Sequence, residues 1–285
     1  MASPQVPTDD VLAPLETIAG HGFSAYDVFR DWTELMLAAL QDDDETYLDV
    51  LEEYDRDKDR DRGERNADLF AQAFGELQAT MRETGLDVLG AVYEAWDLGS
   101  HGQGIHFTPH NVARALAELQ VYPQDGEAGP EPPVRIADPA CGSGRLLIFA
   151  ARVHDEPVIC YAKDKNGLCA RLAALNCCFF NLDAVIVQGD SLQVTRQRAW
   201  RTRHTPLGGE IAEADPETLP DPEVMFRSTN GEPTEDATGP EAEQAAPTGV
   251  NGATPRHREE DAAAAADRLT VEEGDDLEQH ALDEF

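Results

Sequence analysis

The sequence predicts an α/β protein with a helical N-terminal module, a partial parallel sheet of the doubly wound kind and a disordered acidic tail. Apolar residues recur at helical spacing through the first third of the chain. Strand and helix patterns then alternate from about residue 134 to residue 187, as they do in parallel sheets. From about residue 216 the chain is mainly Glu, Asp, Ala, Pro, Gly and Thr, which cannot bury enough apolar surface to offset chain entropy.

These changes of pattern divide the chain into four parts. The first part contains Pro and Asp, which do not favour regular structure. We expect a flexible lead-in at residues 1–20, the helical module at residues 21–100, the α/β domain at residues 101–205, and an acidic, mostly disordered tail at residues 206–285.

Amphipathic patterns predict four helices in the helical module. Their ranges are Tyr26–Leu40, Glu45–Tyr54, Ala67–Glu83 and Leu86–Trp96. The mixed-charge stretch Asp55–Arg65 is interpreted as a solvated helix end or loop. A fifth helix is expected to begin at Pro109 with Thr108 as its cap. Its predicted buried stripe consists of Val112, Leu116 and Leu119.

The α/β domain shows three strand patterns and two helix patterns, and the pattern fades after "GDSL" (189–192). The predicted strands are Val134–Ala137, Val158–Tyr161 and Ala184–Val187. The predicted helices are Arg145–Val153 and Gly167–Phe180. This alternation predicts a parallel sheet whose strand ends meet at one edge.

The charge balance is strongly acidic, with 56 acidic against 22 basic residues and a net charge of −34. Lys58, Lys163 and Lys165 are the only lysines. Such a composition is typical of proteins from salt-loving microbes, because concentrated salt shortens the screening length to about 3 Å and removes the self-repulsion. An acidic mimic of nucleic acid is less favoured, since the acids are spread through segments predicted to fold. The acidity therefore does not exclude DNA as a partner.

The five cysteines are odd in number and include no CxxC pair, and no secretory leader is visible. These features predict reduced thiols and a cytoplasmic protein. No apolar run approaches the roughly 20 residues that span a bilayer, so we expect no membrane role.

Three acids follow the three predicted strands: Asp138, Asp164 and Asp190. Because parallel strands end at one edge, these carboxylates are expected to face one crevice, with Gly142 and Gly144 allowing close backbone approach. The turn is GxG; it is neither GxGxxG nor a phosphate-binding GK[ST] loop. Carboxylates favour a ligand with ammonium or sulfonium groups over a polyphosphate. The structural alternative is an ordinary α/β turn whose acids cap backbone amides.

Two longer motifs carry a family resemblance. "DPACGSG" (138–144) resembles the cofactor motif of the N6-adenine DNA methyltransferases, above all the modification subunits of type I restriction-modification systems. "DVLGAVYEAWDLGSHGQGIHFTPHNVARALAEL" (87–119) resembles the segment that precedes this motif in the same family. The resemblance covers roughly residues 23 to 192, and the order and separation of the two motifs match.

The resemblance implies a Rossmann-like methyltransferase domain that binds S-adenosylmethionine. Phe107, Thr108 and Pro109 would then close over the methionine part. Asp164 would take the ribose hydroxyls and Asp190 the adenine amino group. The amino and carboxylate end would be held by Asp138, Pro139, Ala140, Cys141, Gly142, Ser143 and Gly144.

One family motif is missing from the printed sequence. Active members carry [DNS]PP[YFW], which holds a flipped adenine. The sequence offers only "EPPV" (131–134), "HTPL" (204–207) and "LPDPEV" (219–224), so no catalytic residue is predicted. We therefore expect a truncated or degenerate family member that binds S-adenosylmethionine but is not active alone.

Two alternatives remain. The first is a non-catalytic accessory or partner protein that keeps the cofactor-binding fold. The second is a small-molecule methyltransferase, which the "FTP" sequence disfavours. The resemblance implies DNA as a partner, together with a specificity subunit or a complete methyltransferase subunit.

A basic stretch with one aromatic residue is a second candidate site, for nucleic acid. It contains Arg196, Arg198, Trp200, Arg201 and Arg203. Pairing of these arginines with nearby acids is the favoured alternative. His101, His106 and His110 lack the helical spacing of a metal motif, and no metal site is predicted.

Overall fold

The computed structural model describes residues 5–54, 60–101, 104–121 and 133–219. The predicted tail beyond residue 219 and the lysine at position 58 lie outside this range. The helices of the described residues are α1 (Asp9–Gly20), α2 (Ala25–Leu40), α3 (Asp44–Glu52), α4 (Asn66–Thr84), α5 (Val88–Ala95), α6 (His110–Val121), α7 (Arg145–Arg152) and α8 (Gly167–Phe179).

Helix α1 lies within the stretch predicted to be a flexible lead-in, so that prediction is wrong for residues 9–20. Val11, Leu15 and Ile18 follow one another at helical spacing and are fully buried. The helix packs against α4 and α2. Burial of this stripe outweighs the disfavoured Pro14 inside the helix.

The four predicted helices of the N-terminal module are confirmed, and each end lies within two residues of its predicted position. Side-chain caps explain three of the starts. Ser24 accepts a hydrogen bond from the Asp27 backbone N–H at the start of α2. Asp43 and Asp87 cap α3 and α5 in the same way, which satisfies backbone donors that a helix start leaves free.

The five strands form one sheet in the order β1-β2-β3-β4-β5. They are β1 (Val134–Asp138), β2 (Val158–Asp164), β3 (Asp183–Gln188), β4 (Arg198–Arg203) and β5 (Glu210–Ala214). The first three are parallel, as predicted, and are joined by α7 and α8. Asp138 pairs in register with Ala162, and Asp164 pairs with Gln188, so the three strands end at one edge.

Strands β4 and β5 were not predicted, and both run antiparallel to their neighbours. The connection from β3 to β4 spans only residues 189–197, whereas a parallel crossover needs about a dozen residues or more. The chain therefore turns back on itself. Strand β5 lies inside the stretch predicted to be a disordered tail, so the α/β domain extends at least to residue 214, beyond its predicted end at residue 205.

The helical module and the sheet share one apolar core, which runs from Val11 to Ile211. Helix α8 covers one face of β2, β3 and β4 and also contacts α2. Arg171 of α8 pairs with Glu34 of α2 and donates to the Arg30 carbonyl at 2.9 Å. The change of sequence pattern near residue 100 therefore does not separate two cores.

Helix α6 turns a different face inward from the predicted one. Ala113 and Ala117 are buried against α7. Val112, Leu116 and Leu119, predicted as the buried stripe, are 42%, 43% and 69% exposed. The helix is amphipathic, but close approach to Phe149 and Ala150 of α7 requires small residues at the contact. The helix begins at His110, one residue later than predicted.

Within the described ranges, no helix has the length and apolar character needed to cross a membrane.

Candidate functional site

The three predicted acids lie at the same edge of the sheet. Asp138 ends β1, Asp164 ends β2, and Asp190 follows β3. An Asp164 oxygen accepts the Gly142 N–H at 2.9 Å, which joins the glycine turn to β2. The Ser191 hydroxyl donates to the Pro139 carbonyl at 2.6 Å, which joins the loop after β3 to the same turn. The three strand ends therefore form one connected crevice.

The glycine turn after β1 uses its own amides to hold its shape. Four of its backbone N–H groups donate to protein oxygens: Ala140 to Asp138, Cys141 to the Lys163 carbonyl, Gly142 to Asp164, and Gly144 to the Cys141 carbonyl. A phosphate cradle needs such N–H groups free to point at the ligand. These four amides are not available to a phosphate.

All three acids cap backbone amides, as the structural alternative stated. Asp164 also accepts from the Asn166 N–H at 2.8 Å, and Asp190 accepts from Leu192 and Gln193. Each carboxylate oxygen has two acceptor positions, so capping does not exhaust its capacity. The capping role and a ligand-binding role are therefore compatible.

The electrostatics of the crevice differ between its acids. Burial raises the pKa of Asp138, and the charge of Asp164 raises it further. The pKa of Asp190 is lowered by hydrogen bonds from the Gln193 and Leu192 backbone. A carboxylate whose pKa is raised by burial and by a second carboxylate is stabilised by a nearby cation. The Asp138–Asp164 end of the crevice thus favours a ligand with a positive group.

Phe107 covers the glycine turn. A Cβ atom placed on Gly142 would lie 3.0 Å from the Phe107 ring, so the ring is in close contact with the turn. The ring is 7% exposed and packs edge-on against Tyr93, with centroids 5.5 Å apart. Thr108 and Pro109 follow it and are exposed. The "FTP" segment and the turn are therefore neighbours.

Two turn residues have their side chains directed away from the crevice. The Ser143 hydroxyl is buried and donates to Asp87 at 2.5 Å. Cys141 is buried, and burial raises the pKa of its thiol well above the ordinary value. Only the backbone of these two residues is left to contact a ligand in the crevice.

A buried polar cluster behind the turn was not predicted from the sequence; it consists of Asp87, Ser143, Arg145 and Asn176. Arg145, the first residue of α7, donates to Asp87 at 2.9 Å and to the Thr108 carbonyl at 2.8 Å. Asn176 of α8 donates to Asp87 and to the Ser143 carbonyl, both at 2.8 Å. The sequence signals were an acid at a helix start and an arginine at the head of an apolar helix. Neither signal reveals its partner.

The basic stretch, of which residues 198–203 form β4, uses three of its five candidate side chains within the protein itself. Trp200 is fully buried, so its ring cannot stack on a base, and that predicted role is wrong. Arg196 donates to the carbonyls of Pro216 and Leu219. Arg198 pairs with Glu213, as the favoured alternative stated. Exposed side chains remain at Arg201 and Arg203.

Among the described residues, no group of three or more His, Cys, Asp or Glu side chains is arranged to hold a metal ion. The five cysteines are buried and unbridged.

Comparison with known proteins identifies the segment that contains this site. Residues 84–205 match the family model of the N-6 DNA Methylases. The chain is 34% identical over 125 residues to the "Type I restriction enzyme MjaVIII methylase subunit" of Methanocaldococcus jannaschii, covering 40% of this chain and 20% of that protein. It is 40% identical over 76 residues to the "Type II methyltransferase M.MamI" of Microbacterium ammoniaphilum, covering 25% of this chain and 21% of that protein.

The chain thus spans about a fifth of the length of these curated relatives. A solved S-adenosylmethionine-dependent methyltransferase from Listeria monocytogenes is 17% identical and covers 65% of this chain and 55% of its own length, with a TM-score of 0.38. The family match covers the glycine turn, "FTP", β1 to β4 and the buried cluster. Residues 84–205 of this chain, which include the crevice, are therefore similar to the N-6 DNA methylases.

Proposed function

We propose that the crevice binds S-adenosylmethionine and that the chain serves N6-adenine DNA methylation in a restriction-modification system. The observation that carries the proposal is the pair Asp138 and Asp164 beside a turn that Phe107 covers. The similarity to a type I methylase subunit and to a type II methyltransferase supports the reaction class.

The residues of the crevice fit this cofactor. S-adenosylmethionine carries an ammonium and a sulfonium group, and the half-buried Asp138 beside Asp164 favours a cation. The turn keeps its amides occupied, which suits a cationic ligand better than a polyphosphate. By family resemblance, Asp164 would hold the ribose hydroxyls and Asp190 the adenine amino group. When bound, the cofactor supplies an electrophilic methyl group.

The chain's own residues would bind and orient this cofactor. The Phe107 ring would cover one side of the bound cofactor, because it lies against Gly142 of the turn. Asp138 places negative charge where the positive end of the ligand would lie. These groups would hold the cofactor in one position, which is the part of methyl transfer that depends on orientation.

We further propose that the chain alone does not methylate adenine. Its sequence contains no [DNS]PP[YFW] tetrapeptide to present a flipped base. This observation also favours the second candidate function, an accessory protein that keeps the cofactor site and acts with a complete methyltransferase or a specificity subunit.

Calorimetric titration with S-adenosylmethionine in concentrated KCl tests the binding proposal. We expect saturable binding, and we expect Asp138→Asn to weaken it by about tenfold, because the variant removes the charge next to the positive end of the ligand. Asp155→Asn removes an equal charge from an exposed turn and serves as the control. Absence of binding by a chain that circular dichroism shows to be folded refutes the proposal.

Methyl transfer tests the second proposal. Purified chain is incubated with duplex DNA and S-adenosylmethionine labelled in its methyl group, with a complete adenine methyltransferase as the positive control. We expect label in DNA only with the complete enzyme. Label on adenine N6 with the purified chain alone would show that it is active without a partner.

A further inference from the structure

Arg145 connects three elements that the sequence separates widely. Its Nε donates to Asp87 at the start of α5, and one terminal nitrogen donates to the Thr108 carbonyl of the "FTP" segment. The other terminal nitrogen pairs with Glu94 of α5 at 3.1 Å. Arg145 itself follows the glycine turn directly. One planar guanidinium therefore spans the space between the turn and "FTP".

Asp87 accepts the remaining hydrogen bonds around this arginine. It accepts the Ser143 hydroxyl, the Arg145 Nε and the Asn176 amide, and it caps α5 through the Gly90 N–H. Its side chain has no exposed surface, and that of Arg145 is 3% exposed. We call these four residues, Asp87, Ser143, Arg145 and Asn176, the buried polar cluster.

Stability alone is a poor account of such a cluster. Taking two charges out of water costs much of what their attraction returns, and apolar replacements of similar volume often fold as well. A guanidinium differs from apolar packing because its donors leave in fixed directions. The buried polar cluster therefore fixes positions, and the positions it fixes are those of the turn and Thr108.

We propose that Asp87 and Arg145 are positioning residues that set the distance between the segment 107–109 and the turn 141–144. They thereby control affinity for the amino-acid end of S-adenosylmethionine. This proposal rests on the proposed function. Neither residue faces the crevice, so both act through Thr108 and Ser143.

Two ligands separate positioning from general destabilisation. S-adenosylhomocysteine carries the amino-acid end, whereas 5′-methylthioadenosine has the same adenosine and thioether without it. The measurement is calorimetric titration of each ligand into wild type, Arg145→Lys and Asp87→Asn in concentrated KCl. Lysine keeps the charge but has no planar fork to reach Asp87, Thr108 and Glu94 together.

We expect both variants to bind S-adenosylhomocysteine about tenfold more weakly and to bind 5′-methylthioadenosine within about twofold of wild type. Arg152→Lys, on the same helix but exposed, is the matched control and is expected to bind both ligands as wild type does. Ser143→Ala removes a single hydroxyl and keeps the proposal testable if the charged variants do not fold. It is expected to show the same selectivity, with a loss of about threefold.

Equal weakening of both ligands, or no change in either, overturns this proposal while leaving the proposed function intact. A folded wild-type chain that binds neither ligand overturns the proposed function, and this proposal with it.

Discussion

Gly142 has a backbone conformation and a close neighbour that together disfavour any side chain at this position. Its φ is +54°, a conformation that L side chains rarely adopt, and an added Cβ would lie 3.0 Å from the Phe107 ring. We predict that Gly142→Ala displaces Phe107 and weakens S-adenosylmethionine binding by about tenfold or more. Calorimetric titration measures the loss.

Gly63 provides the control for backbone strain. Its φ is +96°, and no atom lies within 4 Å of an added Cβ. Gly63→Ala should cost about 1 kcal/mol in the free energy of unfolding but leave ligand affinity unchanged. Equal affinities for Gly142→Ala and wild type would mean that Phe107 does not help to form the binding site.

The lowered pKa of the buried His110 ring predicts that the stability of the fold depends on pH. Burial lowers its pKa to about 4, and the charge of Arg145 acts in the same direction. In the unfolded chain the ring titrates near about 6.5, so the unfolded state binds the proton more readily at intermediate pH. Stability is therefore lost as the pH falls from about 6.5 towards 4.

Urea unfolding at about pH 7.5 and about pH 5 measures this effect. We expect His110→Asn to remove on the order of 2 kcal/mol of the wild type's pH dependence, because asparagine does not titrate. Carboxylates titrate in both proteins and cancel in the difference. Identical pH dependence in the two proteins contradicts the lowered pKa.

At the scale of elements, α6 shows how packing selects one of two possible faces. Its alanines at 113 and 117 lie against α7, while its larger apolar side chains are exposed. We predict that Ala117→Leu destabilises the fold by about 1–3 kcal/mol, because the contact has no room for a larger side chain. Leu116→Gln should change stability by no more than about 0.5 kcal/mol.

Urea unfolding of the two variants distinguishes the faces. If Leu116→Gln lowers the free energy of unfolding more than Ala117→Leu does, then the face with Leu116 packs inward, as predicted from the sequence. The test concerns stability only and does not depend on any ligand.

Strand β4 shows a similar dependence on context. Its sequence, RAWRTR, has the arginines of a nucleic-acid surface, but alternation along a strand sends Trp200 and Arg201 to opposite faces. The face with Trp200 packs into the core, so the indole ring cannot stack on a nucleic-acid base. The cluster of arginines around Trp200 can be seen in the sequence, but strand β4, which turns Trp200 into the core, was not predicted from it.

At the scale of the whole molecule, the net charge of −34 predicts a dependence on salt. Carboxylates repel one another at low ionic strength, and salt screens this repulsion. We predict that the midpoint of thermal unfolding rises as KCl is increased from about 0.1 M to about 2 M. Differential scanning calorimetry measures the midpoint. A midpoint that stays constant or falls would contradict adaptation to concentrated salt.

The sequence by itself determined the helices of the N-terminal module, the three parallel strands and the family motifs. These features depend on local spacing: apolar residues at helical or strand periods, and glycines next to an acid. Local patterns report the forces that act within a few residues, so they are readable one segment at a time. They placed Asp138, Asp164 and Asp190 at one edge correctly.

Only the tertiary structure decided which side chains serve the crevice and which serve the core. The link between Asp87 and Arg145 joins residues 58 positions apart, and no local pattern encodes such a pair. The inward face of α6, the burial of Trp200 and the membership of α1 in the core likewise depend on what each element packs against. Packing is a property of pairs of surfaces, and a single segment carries only one surface of each pair.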